Sequence, residues 1–574
     1  MYGLQIFDSW LYDETKPFIH VEALDTFVFL KEQISTGYFE KLIQAYLLDN
    51  QHGALVTIVP EPGRTARLDE ELKAKLQAYK ESLSREEIDK LVADTKHLQE
   101  YQEEPSSQED LEKIPMLTRE DISREIAPIY NEEMKIAEIP TVFHEIETNG
   151  IGYLDLLFDL SDVPEKDLPM VGLLQAVLGI IDTEHYEYGE LFNEINRYTG
   201  GIGTSLELYP DVTKVREKEF KATFEIKAKA LYGQIPFAIR MMKEILTASK
   251  LDDEKRLKEI LSMTKTRLQD RFLSAGHSAA ALRAMSYKSP LSKFKDTTNG
   301  IGYYQNIREM EEHFEDKKEE IINSLKALSK LIFRKGNMMI SYTATREGLA
   351  VLEEEIGSLK EALYPERTPE SRCVLHCEKK NEGFKTSSKV QFAAKAGNFI
   401  DAGEEYNGAL QILKVIMSYE YLWINIRVKG GAYGCMNGYM KNGDTYFVSY
   451  RDPNLEKTNE IYDGIPAYIE QFTADERDMT KYIIGTISDM DVPMNPSTKG
   501  DRSMAAYLQN ISYEEIQKER DQVIGATQED IRGLRDMIAS VLAENNLCVV
   551  GNEETLQASE GMFGEVKHLN ESER

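Results

Sequence analysis

The sequence predicts an α+β fold built twice over. Three observations carry that reading. A helical pattern running into Asn or Gly and then into an apolar strand recurs at 42–61, 327–347 and 536–556. The second and third of these closures lie roughly 210 residues apart, a plausible full domain length. Before each of them, strand patterns come first and helical patterns follow, which makes a sheet backed by helices. At 574 residues the chain is too long for one core.

Taken in order, the first closure is LIQAYLLDNQHGALVTIVPE (42–61), a helix followed by a strand. It arrives so early that 1–62 is expected to be the tail of a truncated domain. A helical-hairpin linker is expected over 63–116. Leu68, Leu72, Leu76, Tyr79 and Leu83 recur at helical spacing. Ser84 then starts a second helix, with Glu87 three residues on as a capping box, and Ile88, Leu91, Val92, Thr95 and Leu98 continue the stripe. EEPSSQED (103–110) breaks the pattern and reads as a flexible loop.

The first whole domain is placed at 117–372. TVFHEIETNGIGYLDLLFDL (141–160) reads as two strands turning at Asn149-Gly150. KEFKATFEIKAKAL (218–231) is a further strand, and helices around 235–285 precede the closing strand. The second whole domain, 373–574, repeats the order. KVQFAAKAGNF (389–399) is a strand and about 405–427 a helix. CMNGYMKNGDTYFV is then a hairpin with a two-residue turn at Asn442-Gly443, and helices follow, one capped by Thr527 with Asp530.

Composition narrows the function. A net charge of −31 argues against nucleic acid as a partner. No apolar run of about 18 residues exists, so no membrane span is expected. The N-terminus lacks a basic segment followed by an apolar stretch and does not read as a signal peptide. Four cysteines suggest reduced thiols and a cytoplasmic setting. Cys373 and Cys377 flank His376 in CVLHC, but on a likely strand those positions do not converge on a metal. Cys435 and Cys548 read as core residues.

RVKGGAYG (427–434) followed by SYRDPN (449–454) is the most informative pair of segments. Arg427 and Tyr433 fall at or before the mouth of the hairpin, and the glycines let the backbone come close to something else. On spacing alone, Tyr433 packs at a hairpin corner and Arg427 pairs with an acidic neighbour. In SYRDPN, Asp452-Pro453 starts a turn that Arg451 could brace, a structural role.

Together these segments resemble the C-terminal part of the pitrilysin/insulinase family of zinc peptidases, in the branch of presequence protease and falcilysin. The resemblance implies two pitrilysin-type (metalloprotease/LuxS-like) domains, preceded by the helical-hairpin linker and the tail of another such domain. It implies that Arg427 and Tyr433 bind substrate and stabilise an oxyanion, with Gly430, Gly431 and Ala432 also binding substrate. A phenol or guanidinium aimed at that oxygen in a closed chamber is effective catalysis. The zinc implied for the complete enzyme has no ligands in this chain. The family's HxxEH is absent, and its equivalent falls near Gly172-Leu173-Leu174-Gln175-Ala176, while Thr199-Gly200-Gly201 still looks like the family's turn.

Three decoys are set aside. His144-Glu145-Ile146-Glu147-Thr148 lacks a second histidine and lies on a strand, where i and i+4 are about 13 Å apart. Glu184-His185 has Ile181 where the first histidine would be. Both read as surface or loop residues. His277 in SAGHSAAA reads as a helix-start feature near a domain interface.

The expected function is therefore the non-zinc C-terminal half of a presequence-protease-like metalloendopeptidase, inactive by itself. Its partners would be a peptide substrate and the N-terminal half of the same enzyme, with neither nucleic acid nor membrane. The alternatives are a stand-alone, non-catalytic peptide-binding subunit and a purely structural assembly subunit of the same family.

Overall fold

The computed structural model describes residues 2–104, 106–366 and 373–570, the side chains of Thr65, Glu103 and Gln108 excepted. The expected boundary at 372/373 adjoins the segment 367–372, outside the described residues. The chain divides into two units, 1–115 and 116–574.

In the first unit the linker helices form as read. They span Arg64–Ser82 and Arg85–Glu103, and Ser84 and Glu87 make a reciprocal capping box. The break after them is short, since a helix starts again at Gln108. The first closure departs from expectation. Its helical part exists, at Tyr38–Ile43 and Gln44–Leu48, but 50–60 contains no strand. Leu55, Val56, Ile58 and Val59 stand exposed. An apolar strand needs neighbours for its backbone N–H and C=O groups, and nothing in this unit supplies them.

The second unit is α+β and holds two six-stranded sheets. The first contains β1 (Glu132–Ile136), β2 (Ile139–Glu145), β3 (Ile151–Asp159), β4 (Ile202–Pro210), β5 (Phe220–Leu231) and β6 (Met338–Ala344), in the order β1-β2-β6-β3-β5-β4. The second contains β7 (Glu382–Thr386), β8 (Phe392–Asn398), β9 (Gly434–Tyr439), β10 (Asp444–Tyr450), β11 (Asn546–Asn552) and β12 (Glu565–His568), in the order β12-β7-β11-β8-β10-β9. Five strands repeat in order and direction: β2, β6, β3, β5 and β4 correspond to β7, β11, β8, β10 and β9. Only the outer strand differs. β1 pairs antiparallel with β2, whereas β12 arrives from the far end of the chain and pairs parallel with β7.

Two turns need correction. Asn149 and Gly150 both have positive φ, as read, but β2 and β3 do not pair, because β6 inserts between them. At the β9–β10 hairpin only Gly443 has positive φ. The turn runs from Met440 to Gly443 as a longer loop, in place of a two-residue one.

Each sheet is backed by helices of its own segment and crossed on its other face by a helix from the other segment. The long helix Glu254–Ser286 lies over β8, β10 and β11, while the helix Pro496–Leu508 lies over β6 and β2. Close approach is possible because Gly276 meets the Phe392 ring and Gly500 meets Thr343 at distances no Cβ could share. Apolar residues of both sheets consequently join one core, from Phe143 and Phe224 to Phe392 and Val550. Among the described residues no helix is long and apolar enough to cross a membrane.

Candidate functional site

Arg427 sits on a π-helical segment, Trp423–Val428, which follows a second π-helical turn at Met417–Tyr421. Such turns are uncommon and frequent at functional sites. Here the wide turn places the Arg427 guanidinium 4.0 Å above the Trp423 ring and 5.9 Å from the Tyr433 ring. The acidic partner considered from spacing is not there: among the described residues Arg427 makes no ion pair. The cation–π contact fixes its direction and leaves its N–H donors open.

The glycine loop sets Tyr433 beside it. Gly430 approaches the Ile426 and Asn425 carbonyls so closely that a Cβ would clash, and Gly431 has φ of 81°. Gly431 N–H donates to Arg427 O, Ala432 N–H to Ile426 O and Tyr433 N–H to Tyr450 O. Ala432 is buried, so it anchors the loop in the core. Tyr433 is 66% exposed, and its ring meets Tyr450 edge-on at 5.6 Å. Its hydroxyl, like the Arg427 guanidinium, has no hydrogen-bond partner among the described residues. Tyr419, Ile424 and Val428 add exposed apolar surface from the same helical stretch.

SYRDPN holds this loop from beneath, through different atoms than expected. Asp452 is fully buried. Its backbone pairs with Gln391 at 2.8 Å in both directions, and its carboxylate accepts from Asn454 N–H and the Thr458 hydroxyl. Burial pushes the Asp452 carboxyl up against those hydrogen bonds. Asn454 then donates from Nδ2 to Gly430 O at 2.6 Å. Arg451 has φ of 50° and leans over Tyr450; Asp452 and Asn454 do the bracing. The Asn454 clamp was not read from the sequence, though an asparagine closing an Asp-Pro turn is a signal for it.

The segment equivalent to HxxEH does lie on a helix, Leu168–Val177, but cannot take a metal. Gly172 packs against Thr298 O and the Tyr303 ring, and Gln175 donates from Nε2 to Thr204 O. No group of three or more potential ligands exists among the described residues. At the turn after it, Gly200 N–H donates to Lys229 O and Gly201 has φ of 116°.

The rejected motifs have structural explanations. His144 is fully buried, contrary to the surface reading, between Tyr130 O and the Ser341 hydroxyl at 3.0 Å. His185 is exposed and pairs with Glu244. The CVLHC segment is not a strand: Cys373 N–H donates to Ser161 O, and His376 pairs with Glu165 at 2.8 Å. His277 lies just past the kink at Ala275 in the long helix and packs on Phe392 and Tyr450 of the second sheet, as an interface residue would.

Comparison with known proteins agrees with this geometry. Residues 58–310 match the family described as associated with peptidase M16, subfamily C, and residues 381–553 match the PreP C-terminal domain. Protein HypA of Clostridium perfringens is 39% identical over 569 residues, covering 99% of this chain and 58% of that protein. Presequence protease 1, chloroplastic/mitochondrial, of Arabidopsis thaliana is 27% identical over 568 residues, covering 97% and 52%. The chain thus spans little more than half the length of these curated relatives. In fold it is similar to the crystal structure of a peptidase M16 inactive domain from Pseudomonas fluorescens, with a TM-score of 0.52 at 14% identity over 74% of this chain and 98% of that one. A protease from Helicobacter pylori gives a TM-score of 0.51 at 12% identity, over 74% and 99%. Sequence, sheet topology and the missing metal helix together assign the chain to the pitrilysin (M16) peptidase family, as the C-terminal half of a presequence-protease-like member.

Proposed function

We propose that this chain is the non-metal wall of a peptidase chamber, and that Arg427 and Tyr433 contact a peptide held by a separate N-terminal half. In this reading 1–62 completes a domain begun elsewhere, 63–116 is the linker, and 117–372 and 373–574 are the third and fourth domains. Zinc in the complete enzyme would be held by the N-terminal half, and the site of action would be cytoplasmic. The observation that carries the reading is the pair of uncommitted donors: a guanidinium fixed on Trp423 beside an exposed phenol. Arg427 suits hydrogen bonds to peptide carbonyls, and Tyr433 can donate to a carbonyl oxygen as negative charge develops on it. The exposed apolar run Leu55–Val59 supports the rest, since it has strand composition without strand partners.

Tyr433→Phe in the complete enzyme tests this. The change keeps the ring contact with Tyr450 and removes a hydroxyl that bonds to nothing within the chain, so stability should be unaltered. Losing one oxyanion donor costs about 3 kcal/mol in the transition state, roughly a hundredfold in rate. Arg427→Ala should act more on substrate affinity. Unchanged turnover in Tyr433→Phe would leave Tyr433 as chamber wall with no part in the chemistry.

A further inference from the structure

The face of the second sheet under the long helix is not covered to its edge. That helix crosses β8, β10 and β11 and kinks at Ala275, while β9 lies beyond it at the end of the sheet. Between them is a cavity of about 480 Å³. Its apolar wall includes Met436 of β9, Met440 of the turn, Tyr446 of β10, and Leu282 and Leu291 from the helical side. Its polar wall includes Arg271 and Lys295 and no Asp or Glu.

The charge balance of this cavity is unusual for a chain of net charge −31. Arg271 is bonded only to neutral Asn299, with Nη1 donating to Oδ1 at 2.9 Å and Nη2 to the backbone carbonyl. Among the described residues neither Arg271 nor Lys295 forms an ion pair. Burial, and then the neighbouring charge of Arg267, pull the Arg271 guanidinium below its usual range, so the local field is positive. His277, also in the wall, has a buried Nδ1 without a partner. Two uncompensated cations select an anion, and methionine and leucine walls adapt to an apolar body. The volume suits one or two amino-acid side chains. The cavity also adjoins the Arg427–Tyr433 site: the His277 ring meets Tyr450 at 4.9 Å, and Tyr450 meets Tyr433 at 5.6 Å.

We propose that this cavity captures the C-terminal residue of a peptide, with its apolar side chain among Met436, Met440 and Leu291 and its free carboxylate on Arg271 and Lys295. The assignment rests on the peptide-binding reading above, because it places the peptide end next to Tyr433.

The test uses the whole chain with ¹³C-labelled methionine methyls, the Met436 and Met440 signals being assigned by Met436→Leu and Met440→Leu. N-acetylphenylalanine should shift both signals, and its C-terminal amide should bind about tenfold more weakly. Lys295→Gln and Arg271→Gln should each remove most of that difference. Lys295 is exposed, so its variant keeps the fold whatever Arg271→Gln does. Equal binding of acid and amide, no shift with either, or a preference for the acid that survives both variants would overturn the proposal. So would decanoate moving these signals where N-acetylphenylalanine does not. A fluorescent peptide amidated at its C-terminus separates this from the wider reading. If its binding depends on Arg427 while the acid preference fails, the cavity assignment alone is lost. If the acid preference holds and Arg427 is irrelevant, the cavity stands and the Arg427 site does not.

Discussion

Glu382→Gln should weaken the tie between the two sheets of the second unit by about 3 kcal/mol at neutral pH. Glu382 on β7 is fully buried. It accepts from Arg283 of the long helix at 2.6 Å (Nε) and 3.0 Å (Nη2), and from the Tyr287 hydroxyl at 3.0 Å. Lys567 on β12 lies 3.2 Å away, and Arg283 also holds Asp296 at 2.6 Å. Burial by itself would raise the carboxyl. The hydrogen bonds and charge of Arg283, with Lys567, outweigh it and bring the pKa from 4.5 down to about 2. A depressed folded value means the contribution is complete above pH 4.5 and is lost as pH falls toward 2. At about 1.4 kcal/mol for each pH unit, that difference is worth about 3 kcal/mol. This agrees with the roughly 3–5 kcal/mol lost when one partner of a buried pair is removed. Urea unfolding followed by far-UV circular dichroism measures it. Native and variant should differ by about 3 kcal/mol at pH 7, and by about 1 kcal/mol less at pH 3.5. Equal stability at pH 7, or a gap that does not change with pH, would refute the account of Glu382 as an ionised, paired carboxylate.

Asp155 on β3 behaves in the opposite sense. Burial raises its pKa to about 7, with Lys227 opposing and Asp501 and Glu225 adding to the rise. Stability tied to it is therefore present at low pH and lost as pH rises through 7, and Asp155→Asn should stabilise the chain at pH 8 and have little effect at pH 5 when melting is compared at both. Limited proteolysis should cut first around 103–110, between the helices ending at Glu103 and starting at Gln108; early cuts inside 150–350, read by mass spectrometry, would contradict the division into units. Purified chain should hold no tightly bound zinc by elemental analysis, and one zinc per chain would overturn the reading of the Gly172–Ala176 helix.

Local physics made much of the fold legible. The capping box at Ser84 and Glu87 needs only residues three apart, and it forms as read. The same holds for Thr527 with Asp530. The closures at 327–347 and 536–556 combine a helical stripe, a turn residue and an apolar strand within about twenty residues, and both form. The 42–61 closure has the same local signals, yet its strand is missing. A strand is completed by neighbours distant in sequence, and signals within the segment do not report whether they exist. His144 failed for the related reason that burial depends on what crosses the sheet, here the helix Pro496–Leu508 about 350 residues later.

By itself the sequence determined the α+β class, the duplication, the absence of HxxEH, and the choice of Arg427 and Tyr433 as the residues to watch. Each of these follows from short-range pattern or from a motif. Tertiary structure alone decided that β6 would part β2 from β3, and that each sheet would be roofed by a helix from the other segment. It also decided that Arg427 would rest on Trp423 with its donors free, and that Asn454 would pin Gly430. It further left an acid-free cavity beside Tyr450. The reason is the same in every case: backbone pairing, close packing and charge compensation are settled between residues tens to hundreds apart in the chain, where no sequence period or spacing records them.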